Sequence, residues 1–338
     1  MQRMIWSALA AFAVTLVIGP TVIKLLMRLK VGQQIYGLAP EAHKSKQGTP
    51  TMGGLMIAFI AILFAFLFRS HTVPIIFDIP FAICVFALLN LALGFADDFL
   101  KVRRKKNQGG LTEMQKTVPQ VIIAVAFAAY CAFSPYIGTM IMLPFTSNEL
   151  NLGLAYIPIM AFVVYCVLNA ANFLDGLDGL LGSVSLVIFA AFGIIALIFA
   201  SQIGAGANQT QLVNTATLCA ATAGALMGYL RYNLHPAQMM MGDTGSMFIG
   251  AVFVGVGMTM RIPIWLPFAG VMMLVSLLST TIQRVYYKAT HGKRVFKNSP
   301  YHHHLEMMGM SETRIVSMYV LVTVLFCLLC FLGLPITI

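Results

Sequence analysis

Two short segments of the sequence carry paired carboxylates of the kind that bind a divalent cation. Asp97 and Asp98 are adjacent, so their mutual repulsion and burial must be offset by a metal ion or by Lys101, four residues after Asp97. Asp175 and Asp178 lie three apart in Asn-Phe-Leu-Asp-Gly-Leu-Asp-Gly, a spacing that places both on one side of a helical turn. Either segment taken alone also fits a plain structural role, a solvated helix end for the first and a tight turn with a capping Asp for the second.

A third acidic segment runs from Met241 to Ser246 and reads Met-Gly-Asp-Thr-Gly-Ser, with Asp243 between the glycines. Glycines allow backbone N–H groups to approach a phosphate closely. The segment is not a nucleotide-binding P-loop, because the Gly-Lys-Ser/Thr ending is absent. The simpler interpretation is that Ser246 caps the following helix.

Basic residues and histidines gather in two further segments. His43 to Gly54 contains two lysines beside glycines, although its Pro50-Thr51 pair also fits the start of a helix. Lys288 to Glu306 contains His302-His303-His304. Consecutive helical residues point about 100° apart, so three adjacent histidines do not readily bind one zinc ion. Hydrogen bonding to phosphates suits them better.

Together these segments indicate phosphate chemistry supported by Mg²⁺, because that ion is commonly held by one or two carboxylates and substrate phosphates. The secondary-structure elements that carry these segments must bring them together. The composition of the chain indicates what kind of elements these are. Of the 338 residues, 59% are hydrophobic and 9% charged, whereas a soluble domain has roughly 25% charged residues. We therefore expect one integral membrane domain, residues 1–338, with an all-α polytopic fold.

Apolar runs of the length needed to cross a bilayer recur along the whole chain. The predicted transmembrane helices number about ten: 5–27, 52–69, 79–96, 118–134, 154–171, 180–200, 212–231, 246–260, 263–285 and 315–335.

The loops between these spans alternate in charge. One side holds 18 of the 21 Lys and Arg residues, and the other keeps Arg3, Arg69 and Arg261. The positive-inside rule makes the basic side cytoplasmic and both termini periplasmic. The formal charge of +10 is explained by this sorting and by anionic substrates, so no nucleic-acid partner is expected. Residues 139–152 are expected to form a short periplasmic β-hairpin.

The segments are similar to those of a known family. The chain resembles the polyprenyl-phosphate N-acetylhexosamine-1-phosphate transferase superfamily and, within it, the phospho-N-acetylmuramoyl-pentapeptide branch. The resemblance rests on residues 48–54, 96–101, 172–179, 241–246 and 292–304. Thr-Pro-Thr-Met-Gly-Gly and the triple His followed by Leu-Glu favour this branch over the N-acetylglucosamine-1-phosphate branch. Met240 departs from the Phe that relatives often carry, so we expect stacking on the uracil to be weaker or to come from another residue.

The resemblance implies transfer of phospho-N-acetylmuramoyl-pentapeptide from UDP to undecaprenyl phosphate, giving lipid I and UMP, with Mg²⁺ and a homodimer in the bacterial inner membrane. It implies Asp97, Asp98 and Asp243 as catalytic acids, with Asp243 and Asp97 at the metal. It also implies a set of contacts to the nucleotide sugar and its phosphates. These residues are Lys46, Thr51, Lys101, Lys105, Lys116, Asn172, Asp175, Asp178, Gln283, His302, His303 and His304.

Several alternatives remain open at this point. The acceptor phosphate, with a second pKa of about 6, is mostly ionised at neutral pH, so we favour its direct attack, with Asp98 taking any residual proton. A two-step path through a covalent aspartyl intermediate is the rival. The alternative substrate is UDP-N-acetylglucosamine. The non-enzyme alternative is a secondary transporter, which predicts acids near mid-span and repeat symmetry, whereas these acids lie at span ends.

Overall fold

The computed structural model describes residues 1–29, 48–104, 109–146 and 148–334. These residues form twelve α-helices, a two-stranded sheet and two short 3₁₀ turns at Ile75–Phe77 and Gly153–Ala155. The helices are α1 (Gln2–Arg28), α2 (Gly54–Leu67), α3 (Ile79–Arg104), α4 (Glu113–Phe133), α5 (Tyr156–Leu174), α6 (Leu180–Gln202), α7 (Ala207–Asn233), α8 (Gly242–Thr259), α9 (Trp265–Ala269), α10 (Val271–Ala289), α11 (Tyr301–Met307) and α12 (Glu312–Leu332).

Six helical segments of the described chain are long and apolar enough to cross a membrane. They are α1, α3, α4, α6, α12 and the segment Gly153–Leu174, which contains α5. The shorter apolar helix α2 coincides with the predicted span at 52–69. Residues 263–285, predicted as one span, are divided between α9 and α10 at Gly270. A multi-pass helical membrane protein is thus supported, and the total of ten spans stays a prediction.

Helix α7 carries more polar side chains than α6 before it, and several of them are buried in the protein interior. Asn214 donates to the backbone carbonyl of Ser70 and to Asp78, and it accepts the Ser70 N–H. Asp78 also forms a 2.9 Å ion pair with Arg69. These contacts fasten the connection between α2 and α3 to α7. They lie at the start of α3, whereas Asp97 lies 19 residues further along, about 28 Å away at 1.5 Å per residue.

Small residues let the helices approach closely. A side chain on Gly224 of α7 would collide with the backbone of Ala8 in α1, and one on Gly228 would approach the Phe12 carbonyl oxygen at 2.8 Å. The spacing Gly-x-x-x-Gly in this segment therefore serves helix packing, as such motifs do in membrane proteins.

The predicted hairpin is confirmed. Strand β1 (Met140–Met142) pairs antiparallel with β2 (Glu149–Asn151), with Met140 opposite Asn151 and Met142 opposite Glu149. Residue 147 lies outside the described residues.

Candidate active site

Carboxylates from two helices meet at one point in the fold. Asp97 and Asp98 lie toward the end of α3, and Asp243 lies in the first turn of α8. One ligand oxygen from each of the three groups lies within 4.8 Å of the other two. The helices come this close because a Cβ on Gly94 of α3 would strike the carbonyl oxygen of Asp243. The structure thus brings together the three residues predicted as catalytic acids.

Two lysines neutralise most of this charge. Lys101 Nζ, one turn after Asp97 on α3, lies 2.6 Å from Asp97 Oδ2 and 3.0 Å from Asp243 Oδ2. Lys116 Nζ, from α4, lies 2.7 Å from Asp243 Oδ2 and 3.8 Å from Asp97 Oδ2. Three carboxylates and two ammonium groups leave the cluster with one excess negative charge. The orientation of Lys116 follows from the start of α4, where Thr112 and Gln115 form a capping box.

Asp98 is held by the N-terminus of α8. Its Oδ2 accepts the Thr244 hydroxyl at 2.7 Å and the Thr244 backbone N–H at 2.9 Å, and its Oδ1 accepts the Asp243 N–H at 3.2 Å. The first N–H groups of a helix have no partner within the helix and favour an anion. Asp98 therefore acts as a cap supplied by another helix, and its carboxylate fixes the position of Asp243.

Asp243 and Asp97 each have a further partner. Asn172, near the end of α5, donates to Asp243 Oδ1 at 2.8 Å and to Ser246 Oγ at 3.0 Å. Asp97 Oδ1 accepts the Leu111 N–H at 2.7 Å. Each oxygen of Asp243 is consequently held by a side chain from a different helix.

The first residue of α8 and the residues just before it form the wall beside the carboxylates. Gly242 has φ +74°, and a Cβ there would lie 2.5 Å from Asp98 Oδ2 and 2.7 Å from Thr51 Oγ1. The Gly53 and Gly54 N–H groups donate to the carbonyl oxygens of Met240 and Met241. Thr51, one of the predicted contact residues, is thereby placed against the acidic cluster.

Electrostatics set different protonation states for two acids outside the predicted spans. Burial alone would raise the pKa of Asp243, but the ammonium groups of Lys116 and Lys101 hold the pKa of that carboxyl well below its usual range. Burial raises the pKa of Asp175 to about 8, and the negative charges of Asp243 and Asp98 add to the effect. Asp243 is therefore an anion at neutral pH and Asp175 is largely protonated.

Asp178 belongs to a separate group. Its Oδ2 lies 3.1 Å from His235 Nδ1 and accepts the Ala237 N–H at 3.1 Å. Glu312 Oε2 lies 3.5 Å from the same histidine nitrogen. Asp175 and Asp178 do not share one side of a helical turn as the spacing predicted, because α5 ends at Leu174 and Asp175 already has non-helical backbone angles.

Gln283, a predicted contact residue near the end of α10, is engaged within the protein. Gln283 Oε1 accepts the N–H groups of Val295 and Phe296 at 3.1 and 3.0 Å, and Gln283 Nε2 donates to the Phe296 carbonyl at 3.3 Å. This side chain holds the loop rather than facing the carboxylate cluster.

The three histidines have three different environments. His302 is fully buried, and a Cβ on Gly176 would collide with its ring. His303 Nδ1 lies 2.6 Å from Glu306 Oε2, and His304 Nδ1 accepts the Lys297 N–H at 3.1 Å. This arrangement does not favour the binding of one phosphate by all three histidines. Lys46 and Lys105 lie outside the described residues.

Sequence reasoning missed Thr244, His235 and Glu312. A signal existed for Thr244, which follows Asp243 at a helix start and so offers a hydroxyl and an N–H in the same place. No spacing pattern links His235 and Glu312, which are 77 residues apart and meet only in the fold.

Comparison with known proteins decides the family. The profile of Glycosyl transferase family 4 matches residues 79–261, and Phospho-N-acetylmuramoyl-pentapeptide-transferase signature 1 matches residues 46–57. A phospho-N-acetylmuramoyl-pentapeptide-transferase of Clostridium novyi is 39% identical over 334 residues, which cover 99% of this chain and 98% of that protein. The proteins of that name from Clostridium kluyveri and Thermoanaerobacter are 38% and 37% identical, with at least 99% of each chain covered.

The chain belongs to the phospho-N-acetylmuramoyl-pentapeptide-transferase family. The matched range 79–261 begins at α3 and extends past α8, so it contains the three clustered aspartates, both lysines and Asn172. The family signature at 46–57 contains Thr51, which the fold places against that cluster. Family membership and the constellation therefore point to the same site.

Proposed function

We propose that this protein transfers phospho-N-acetylmuramoyl-pentapeptide from its UDP conjugate to undecaprenyl phosphate, releasing UMP and forming lipid I. The observation that carries the proposal is the convergence of Asp97, Asp98 and Asp243 with Lys101 and Lys116 at helix ends. Phosphoryl transfer needs positioning and charge stabilisation more than covalent help from the protein. A cluster of fixed carboxylates and ammonium groups supplies both.

The residues of the cluster fit Mg²⁺. Their ligand atoms are carboxylate oxygens, the donors that this hard ion takes, and they lie within 4.8 Å of one another. Asp243 and Asp97 would hold the ion, which supplies charge neutralisation on the diphosphate when bound. The excess negative charge of the cluster favours a cation, and the two lysines remain to meet the phosphate oxygens of the donor.

The protein groups have distinct roles in this proposal. Lys101 and Lys116 offset the repulsion between two anionic substrates. Asn172 orients Asp243 through its 2.8 Å hydrogen bond. Asp98, whose oxygens accept three hydrogen bonds, positions the start of α8. Asp98 would in addition take any residual proton of the acceptor phosphate, which is mostly ionised at neutral pH.

We favour a single displacement, in which the lipid phosphate attacks the sugar-linked phosphorus and UMP leaves. The Oδ2 atoms of Asp97 and Asp243 are each close to a lysine, which makes them weak nucleophiles. A donor made chiral at that phosphorus tests the choice. Inversion is the expected outcome, and net retention would establish the covalent two-step path instead.

The deciding experiment measures UMP release by the full-length protein in detergent with Mg²⁺, undecaprenyl phosphate and UDP-N-acetylmuramoyl-pentapeptide. The wild type should release UMP and Asp243→Asn should release at least a thousandfold less. UDP-N-acetylglucosamine in place of the donor tests the alternative transferase, which would release UMP faster from that substrate. Absence of UMP release from both wild type and Asp243→Asn would remove the enzyme proposal and return the transporter alternative, whereas equal measurable rates would remove only the role of Asp243.

The proposed setting is the bacterial inner membrane, with about ten spans, both termini periplasmic, a homodimer and the carboxylate cluster on the cytoplasmic side. Support comes from the basic loops on the side of Asp97 and Lys101. Cysteines introduced at the exposed residues Ser201 and Ser311 test the orientation. A membrane-impermeant maleimide applied to spheroplasts should label the first and spare the second, and the reverse would invert the topology.

A further inference from the structure

The loop between α5 and α6, residues 175–179, is held by two other parts of the chain. Its Gly176 packs against the buried ring of His302 from α11, so closely that a Cβ on Gly176 would collide with that ring. Its Asp178, whose side chain is 1% exposed, meets the connection between α7 and α8. Because Asp175 and Asp178 are both expected contacts to the nucleotide-sugar donor, the shape of this loop should govern how well that donor binds.

The connection between α7 and α8 contacts the loop at three points. The Ala237 N–H donates to Asp178 Oδ2 at 3.1 Å, and His235 Nδ1 lies 3.1 Å from the same oxygen. Just before the connection, Asn233 Oδ1 accepts the Gly179 N–H at 3.2 Å. The contact through His235 is made by a side chain that is 45% exposed, so it can be altered without opening the protein core.

Glu312, the first residue of α12, lies against the same histidine. Its Oε2 is 3.5 Å from His235 Nδ1, so this ring nitrogen faces carboxylate oxygens of both Asp178 and Glu312. A carboxylate accepts hydrogen bonds, and Nδ1 is therefore the nitrogen that carries the proton and donates. The second carboxylate favours the ring orientation in which Nδ1 points toward Asp178.

The central carboxylate of the proposed site is held independently of this contact. Asp243 has Asn172, Lys101 and Lys116 as partners at 2.8, 3.0 and 2.7 Å. Loss of the His235 contact should consequently weaken binding of the donor and spare the transfer step.

We propose that His235 is a positioning residue for the nucleotide-sugar donor, which fixes the Asp178 carboxylate in the 175–179 loop, and that Glu312 keeps His235 in that orientation. The inference rests on the proposed function, because only a donor site gives the shape of this loop its importance. Its readout is the donor KM, whereas the proposed function is judged by whether UMP is released at all.

Steady-state kinetics of UMP release by the full-length protein in detergent test the proposal, with UDP-N-acetylmuramoyl-pentapeptide varied at saturating undecaprenyl phosphate and Mg²⁺. His235→Leu should raise the donor KM about tenfold, since a hydrogen bond to a charged group contributes about that factor or more. Its kcat should stay within about twofold of wild type, because the lost binding is shared by substrate and transition state. His235→Asn, whose amide nitrogen can replace Nδ1, should keep the KM within about threefold of wild type.

Two further variants complete the set. Glu312→Gln removes the charge beside Nδ1 and should raise the donor KM about threefold, because a partly exposed charge pair contributes little. The matched control is His71→Leu, the same substitution at an exposed position between α2 and α3, and it should leave the KM unchanged. An equal rise in the control would overturn the proposal.

The remaining outcomes are equally decisive. A wild-type KM in His235→Leu overturns the proposal while an active wild type preserves the proposed function. A raised KM that His235→Asn does not restore and Glu312→Gln does not reproduce would make the histidine a direct contact to the donor and overturn its positioning role. Absence of UMP release from every protein would instead remove the proposed function.

Reduced stability of a variant does not prevent a result. Equilibrium dialysis with radiolabelled UDP-N-acetylmuramoyl-pentapeptide, on protein that elutes from gel filtration as the wild type does, measures donor affinity without turnover. His235→Leu should bind the donor about tenfold more weakly and His235→Asn nearly as tightly as wild type. Equal affinity of wild type and His235→Leu in this assay would overturn the proposal.

Discussion

The hydroxyl of Thr244 donates a 2.7 Å hydrogen bond to Oδ2 of Asp98, and the backbone N–H of the same residue donates a second at 2.9 Å. The pair joins the last turns of α3 to the first turn of α8. Since Asp243 immediately precedes Thr244, this double contact sets where the central carboxylate of the site lies.

Replacing Thr244 with Val removes the hydroxyl and keeps the shape of the side chain. We expect kcat for UMP release to fall about 10- to 100-fold, because a hydrogen bond to a charged group is worth about 1.5–3 kcal/mol. The donor KM should change less than twofold. Thr244→Ser, which retains the hydroxyl, should stay within threefold of wild type, and wild-type kcat in Thr244→Val would show that the hydroxyl has no positioning role.

Lys116 competes with a metal ion for Asp243, since its ammonium lies 2.7 Å from Oδ2. Lys116→Met should therefore bind Mn²⁺, used as a spectroscopic substitute for Mg²⁺, about five- to tenfold more tightly in the absence of substrates, because one opposing charge is gone. Turnover should nevertheless fall at least a hundredfold. An electron paramagnetic resonance titration measures the affinity, Lys116→Arg serves as the charge-retaining control, and weaker Mn²⁺ binding in Lys116→Met would contradict the competition.

Gly242→Ala should abolish turnover, because its Cβ would lie 2.5 Å from Asp98 Oδ2 and 2.7 Å from Thr51 Oγ1. Gly138 offers a matched control, since it has the same φ of +74° and no neighbouring atom within 4 Å of the point that a Cβ would occupy. Gly138→Ala should lower the free energy of unfolding only by the cost of backbone strain, about 1–2 kcal/mol. Its kcat should stay at the wild-type value. Equal activity loss in both variants would assign the effect to backbone strain alone.

Asp175 should make the metal-free protein less stable as the pH rises. Its pKa is about 8 in the folded protein against 3.8 ordinarily, so the folded state binds the extra proton between these values. The free energy of unfolding must then decrease with pH across that window, by at most about 1.4 kcal/mol per pH unit. Thermal unfolding in detergent with a chelator should show a flatter pH dependence for Asp175→Asn, and parallel curves would contradict the shifted pKa.

The sequence was informative where chemistry is concentrated in short segments. Asp97, Asp98 and Asp243 were predicted as one site, and the fold brings them together. The hairpin at residues 139–152 was predicted from two short strand-like runs around a Ser-Asn-Glu turn, and the two strands pair in the fold. These features are local or depend on residue types that are costly at a membrane boundary.

Long-range partners could not be predicted in the same way. Nothing in the spacing indicates that the Gln283 amide holds the backbone at Val295, or that His235 lies between Asp178 and Glu312. Hydropathy likewise does not show that Asn214 of α7 is buried against other protein groups and not against lipid. Such outcomes depend on which surfaces pack together.

The capping of α8 by Asp98 has an evolutionary consequence. A single carboxylate both caps one helix and borders the proposed catalytic centre, so a mutation there should impair folding and activity together. Resistance to a compound that binds through Asp98 should arise rarely, because a resistant allele would need a compensating change at Thr244 in the same step.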